Sequence, residues 1–118
     1  MRLIVSGYRN FTDVRVVGDA IRRLKPSVII HGDCRGVDHI AGEVGKEIGC
    51  EVILVPADWS MGPKAGPVRN RRMVRDYRPD HILMFMSVHS KGTRNMLDLA
   101  ERYGIPHTIV NVDGDETE

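Results

Sequence analysis

Aromatic residues are scarce in this 118-residue chain, at 5% of the composition, and a platform for single-stranded nucleic acid needs several rings for bases to stack on. Net charge is missing too: 17 Lys and Arg stand against 16 Asp and Glu, leaving +1. General polyanion binding draws on a large basic excess, so nucleic acid is not the expected partner. The two cysteines, Cys34 and Cys50, lack the paired spacing of a zinc site or redox motif, and a reducing cytoplasm fits them best. The longest apolar runs, residues 27–30 and 82–86, fall far short of the ~20 residues of a membrane span. Residues 1–5 enter an apolar run with no signal-peptide pattern and read as a buried strand. There is no His-Glu-x-x-His, no Walker A spacing and no Gly-x-Ser-x-Gly elbow. No metal and no cofactor is therefore expected.

What is present is 42% apolar composition, enough for one domain with one core. That domain is expected over residues 1–112, with residues 113–118 as an acidic, disordered tail. Five short apolar segments, at residues 3–6, 27–31, 51–55, 81–86 and 107–110, are each followed by a loop rich in Gly or polar residues. The first four lead into helical patterns, a βαβα rhythm. Because the segments are runs of Val, Ile and Leu rather than alternations, they suit a parallel sheet covered on both faces. The expected fold is a single Rossmann-like α/β open sheet of five mainly parallel strands, order 3-2-1-4-5, with helices on both faces. In that order strands 1 and 4 meet at the switch point, and the crevice at the carboxyl ends of strands 1, 2 and 4 is where a ligand belongs.

Apolar spacing gives the helices. The first is capped by Thr12 or Asp13, puts Val14, Val17, Ile21 and Leu24 on one face, and stops at Pro26. A second carries Val37, Ile40, Ala41, Val44 and Ile48 and ends at Gly49. The third, about residues 67–77, offers Val68, Met73 and Tyr77. The fourth, about residues 93–103, offers Met96, Leu97 and Ala100.

Chemistry concentrates in the strand-end loops. In the first, Ser6, Gly7 and Arg9 follow a strand and precede a helix, where backbone N–H groups can face an anion; alternatively Gly7 only permits a tight turn. The second loop holds Gly32, Arg35, Gly36 and Asp38, and Asp38 can equally complement the helix dipole. The fourth offers Lys91, Gly92 and Thr93: a cation, a glycine for close approach and a hydroxyl at a helix start. A capped helix with a solvated lysine reads the same way. Three loops that each combine glycine with a cation favour a shared phosphate site. The connection at residues 56–66 is longer than the 2 to 6 residues usual for a βα loop. It carries Trp59, suited to stack on a base or sugar or to pin the loop. Arg69 and Asn70 open the next helix, with Arg69 the candidate phosphate contact and Arg71, Arg72 and Arg75 a solvent-facing stripe. The five histidines have no metal-ligand spacing; His31 and His89, at strand carboxyl ends, are placed to touch a ligand, but hydrogen-bonded structural roles are the expectation for all five.

Taken in order, Ser6-Gly7-Tyr8-Arg9, Gly32-Asp33-Cys34-Arg35-Gly36-Val37-Asp38, Pro56-Ala57-Asp58-Trp59, Ala65-Gly66-Pro67-Val68-Arg69-Asn70 and Lys91-Gly92-Thr93-Arg94-Asn95-Met96 resemble the YspA-like, YpsA-related branch of the SLOG superfamily. The resemblance spans about residues 1–110. It implies a Rossmann-like domain that binds or senses a nucleotide or nucleotide-derived, phosphate-bearing small molecule, and, by analogy with SLOG enzymes, a homodimer. The distantly similar lonely-guy phosphoribohydrolases, often misnamed lysine decarboxylases, cleave the base from a nucleoside 5′-monophosphate. They use an Arg-Lys pair and a Pro-Gly-Gly-x-Gly-Thr-x-x-Glu loop. Arg69 matches their arginine, Asn70 stands for the lysine, Ser90-Lys91-Gly92-Thr93 for the glycine-rich half, and Met96 for the catalytic glutamate. A thioether cannot stabilise an oxocarbenium-like state, so the alternative function, a nucleotide N-glycosidase or related hydrolase, requires a displaced carboxylate from Asp33, Asp38 or Asp58. A relative that processes DNA in transformation binds single strands with this fold, a role that the near-neutral charge and few aromatics oppose here.

Overall fold

The computed structural model describes residues 1–113. Its elements run β1 (Arg2–Gly7), α1 (Val14–Leu24), β2 (Val28–His31), α2 (Val37–Glu47), β3 (Glu51–Leu54), a short 3₁₀ helix (Trp59–Lys64), α3 (Ala65–Asp76), β4 (His81–Met86), α4 (Lys91–Arg102) and β5 (His107–Asn111). The strands form one parallel sheet in the order β3-β2-β1-β4-β5, as expected. Side chains alternate across a strand, and β1 divides its apolar run accordingly. Leu3 and Val5 join Ile29, Leu83 and Phe85 beneath α1 and α2, while Ile4 joins Ile30, Ile82 and Met84 beneath α3 and α4. Both faces are therefore covered, which is why the central strands read as continuous hydrophobic runs. No described helix is long and apolar enough to cross a membrane.

Local chemistry sets the helix ends. Asp13, rather than Thr12, caps α1 by accepting from the Val16 amide at 3.1 Å. The apolar periods require correction at their edges. Val14, in the first turn of α1, is 61% exposed; Ile48 lies past the end of α2 and is also exposed. In α3 the buried face is Asn70, Met73 and Val74, and Val68 lies roughly 140° round the helix from Met73, so it faces out. A polar residue holds the core position because it has partners there. Residues 56–66, expected as loop, instead contain the 3₁₀ helix, which Asp58 caps through Ser60, and α3 starts two residues early.

The expected tail also needs correction at its first residue. The Asp113 carboxylate accepts from Ser87 Oγ at 2.7 Å and from the Val88 amide at 2.6 Å. It thereby ties the segment after β5 to the β4–α4 loop. Residues 114–118, the rest of that tail, lie outside the described residues.

Candidate functional site

The site starts from the register of β1 on β4. Gly7 stands opposite Phe85, and the Tyr8 amide donates to the Phe85 carbonyl at 2.9 Å, so the loops after these two strands leave the sheet side by side. Behind them α2 packs closely: a Cβ on Gly7 would lie 2.6–2.7 Å from the side chain of Val37, the first residue of α2. Gly7 thus combines a turn with a close approach. Gly36, at φ 75° and ψ −124°, presses against the Arg9 carbonyl and joins the β1 and β2 loops.

Between these loops and the N-termini of α3 and α4 opens a cavity of about 480 Å³, within the ordinary size range of small-ligand sites. Of the residues singled out from sequence, Ser6, Gly7, Arg9, Asp38, Trp59, Arg69, Lys91, Gly92 and Thr93 line it. Gly32 and Arg35 lie instead on an adjoining hollow of about 400 Å³, which shares Arg9, Cys34 and Trp59 with the first. There Arg35 donates to Asn10 Oδ1 at 2.8 Å. Gly36 and Asn70 line neither hollow.

The first turn of α4 supplies donors. Ser90 precedes it but its hydroxyl accepts from the Ser87 amide, so α4 has no side-chain cap. The first intrahelical bond is from the Arg94 amide to the Ser90 carbonyl. The amides of Lys91, Gly92 and Thr93 therefore have no acceptor within the helix, and all three residues line the cavity. With the positive end of the helix dipole and the Lys91 ammonium beside them, they form a suitable seat for an anion.

Arg69 and Asn70 brace the surrounding loops, and Arg69 also lines the cavity. The Arg69 guanidinium donates to the Gly32 carbonyl at 2.6 Å, the Val55 carbonyl at 3.3 Å and Asn70 Oδ1 at 2.9 Å, and lies 3.8 Å from Cys34 Sγ. Asn70 is buried and donates to the Gly92 carbonyl at 3.1 Å and to Asn95 Oδ1 at 3.0 Å. One pair of side chains on α3 thereby fixes the ends of β2 and β3 and the start of α4. Arg71, Arg72 and Arg75 are exposed, as expected of a solvated stripe. The cations with no hydrogen bond or ion pair among the described residues that line the cavity are Arg9 and Lys91.

Asp38 is buried, and its Oδ2 accepts from the amides of Gly32 at 3.0 Å and Cys34 at 3.3 Å. It holds the β2–α2 loop, beyond any effect on the helix dipole. Burial pushes its carboxyl up to about 6, against the opposing pull of the Cys34 amide, the Arg69 charge and the Gly32 amide. The Cys34 thiol is pushed up as well, by burial first and then by the Asp38 charge. Asp33 lies on the adjoining hollow and Asp58 is engaged with Ser60. Met96 is fully buried in the core beneath α4.

Cavity residues not singled out are Tyr8, Cys34, Gly66, His89 and Ser90. His89, read as structural, is exposed on the cavity wall, its ring 6.3 Å from that of Tyr8. His31 fits the structural reading: it is buried and its Nδ1 accepts from the Asp33 amide. Trp59 is 61% exposed at the rim, its ring edge over Gly66, and both residues belong to the cavity wall.

Comparison with known proteins places this geometry in context. A model of the YspA, cpYpsA-related SLOG family matches residues 1–62. The gene 61 protein of Mycobacterium phage D29 is 36% identical over 89% of this chain and 92% of its own length. Among solved structures, TM1055, a structural-genomics target, superposes with a TM-score of 0.67 at 18% identity, over 90% of this chain and 71% of that one. The C-terminal domain of the PF1911 hydrogenase from Pyrococcus furiosus superposes at 0.54 and 14%, over 92% and 89% of the two chains. At such identities these two structures bear on the fold alone.

Proposed function

The chain belongs to the YspA, cpYpsA-related SLOG family, and from that membership and its cavity we propose that it binds a phosphate-bearing, nucleotide-type small molecule. The observation that carries the reading is the uncapped start of α4, where Lys91, Gly92 and Thr93, whose amides have no acceptor within the helix, line a cavity also lined by Gly7 and Arg9. Such a cluster of donors and cations is suited to an anion. Family membership suggests nucleotide-related ligands, and the exposed Trp59 ring at the rim offers a surface for a base or sugar. The test is calorimetric titration of adenosine 5′-monophosphate. Lys91→Ala should weaken binding about 10-fold, the effect of one lost charge-assisted contact of roughly 1.4 kcal/mol. Arg75→Ala, an exposed site on the far part of α3, should bind as the wild type does. Equal affinities for both variants would remove the anion seat from α4.

A second reading, hydrolysis of the N-glycosidic bond, is favoured by one observation. Asp38 is the carboxylate lining the cavity among the described residues, whereas Met96 is sealed in the core. Chromatography of the same incubation for free adenine separates the readings: released base makes the domain an enzyme, and intact nucleotide with saturable binding makes it a binding module.

A further inference from the structure

We propose that Asp38 selects the sugar end of the ligand, its Oδ1 accepting from a sugar hydroxyl while the phosphate sits at the start of α4. This rests on the phosphate-binding reading above and adds to it the chemical class of the rest of the ligand.

The geometry of one carboxylate carries the inference. Asp38 is 5% exposed and lines the cavity. Its Oδ2 is engaged by two loop amides, and its Oδ1 has no partner among the described residues. No sealed side-chain nitrogen or oxygen there lacks a partner, so Oδ1 is not sealed and opens on the cavity. An ionised carboxylate accepts and never donates. Opening on the cavity, Oδ1 is free to accept from a donor on a bound molecule.

The charged and ionisable groups around it do not supply the missing donor. Cys34 and Asp33 share its loop; Arg69 reaches in from α3 but is engaged by Gly32, Val55 and Asn70. Arg9, His89 and Lys91 also line the cavity, with no bond to Asp38. A molecule bound in the cavity is then the group placed to donate to it. A phosphate oxygen cannot provide it, being an acceptor of like charge. In a nucleotide-type molecule the group next to the phosphate is the sugar, whose hydroxyls donate. The cavity therefore has two poles: donors and Lys91 at α4 for the phosphate, and one acceptor at Asp38 for a hydroxyl.

The polarity is testable with two small probes on the full chain, ribose 5-phosphate and n-butyl phosphate, the latter having a phosphate and carbon bulk but no hydroxyl. By calorimetry the wild type is expected to prefer ribose 5-phosphate at least 10-fold. In Asp38→Asn the amide oxygen can still accept from Gly32 and Cys34 while the NH₂ group turns a donor toward the cavity. The preference should fall to less than threefold there, because a neutral NH₂ donor to the hydroxyl oxygen replaces a stronger charge-assisted bond, with the affinity for n-butyl phosphate kept or raised. Equal affinity of the wild type for both probes overturns the proposal without reference to any variant, even if Asp38→Asn does not fold. So does a preference that survives in a folded Asp38→Asn. If the wild type binds neither probe, the phosphate seat itself is wrong and the proposal falls with it.

Discussion

Replacing Arg69 with alanine is expected to lower the melting temperature by roughly 10–20 °C, corresponding to about 3 kcal/mol in a domain of this size. The substitution removes the charged donor from the Gly32 and Val55 carbonyls and from Asn70, so the ends of β2 and β3 lose their tie to α3. Hydrogen bonds to charged groups are among the stronger ones, and two of the groups left behind, the Val55 carbonyl and the Asn70 side chain, belong to buried residues. Arg69→Lys should recover less than half of the loss, because a single ammonium cannot span acceptors that a planar fork bridges. Arg75→Ala, a solvated charge, should stay within about 0.5 kcal/mol of the wild type. A thermal melt in which Arg69→Ala and Arg75→Ala coincide would show that Arg69 is no brace.

Gly36→Ala should be of similar severity, at about 3 kcal/mol or more, measured by denaturant unfolding. Its backbone, at φ 75° and ψ −124°, lies where residues with a side chain are strained. The added Cβ would also meet the Arg9 carbonyl, a backbone group that cannot turn aside. The strand-end loop that carries Arg9 would have to move, so folding and the cavity wall would suffer together. Gly92 gives the contrast: a Cβ there meets nothing within 4 Å and its φ is not positive. Gly92→Ala should fold normally. A Gly36→Ala protein that unfolds at the wild-type denaturant concentration would refute the strain at that joint.

The sheet was legible because burial on both faces writes itself into sequence as apolar runs; β4 falls on residues 81–86 as expected, and the strand order follows from right-handed crossovers. The cavity's position followed from the same topology. Pairwise roles were not legible. Arg69 and Asn70 stand together at a helix start and look like a ligand-facing pair, yet their acceptors lie 37, 14 and 22 residues away in sequence. Residue type reveals a donor but not its partner. The 3₁₀ helix was hidden because Trp59-Ser60-Met61-Gly62-Pro63-Lys64 has no apolar period and contains Gly and Pro. Asp113 was grouped with its acidic neighbours, since composition cannot tell a solvated carboxylate from one that clamps a loop. Among Asp33, Asp38 and Asp58, only the fold could select the carboxylate that lines the cavity, Asp38.

The central claim, that the carboxyl edge of the sheet seats a phosphate-bearing nucleotide at the start of α4, is tested most directly by nuclear magnetic resonance. Uniformly ¹⁵N-labelled protein is titrated with adenosine 5′-monophosphate and the amide shifts are followed to saturation. The expected result is a saturable set of shifts centred on Gly7, Gly92 and Thr93, cavity residues at the end of β1 and in the first turn of α4. Shifts confined to other surfaces, such as α1, or no shifts at millimolar nucleotide, would contradict it.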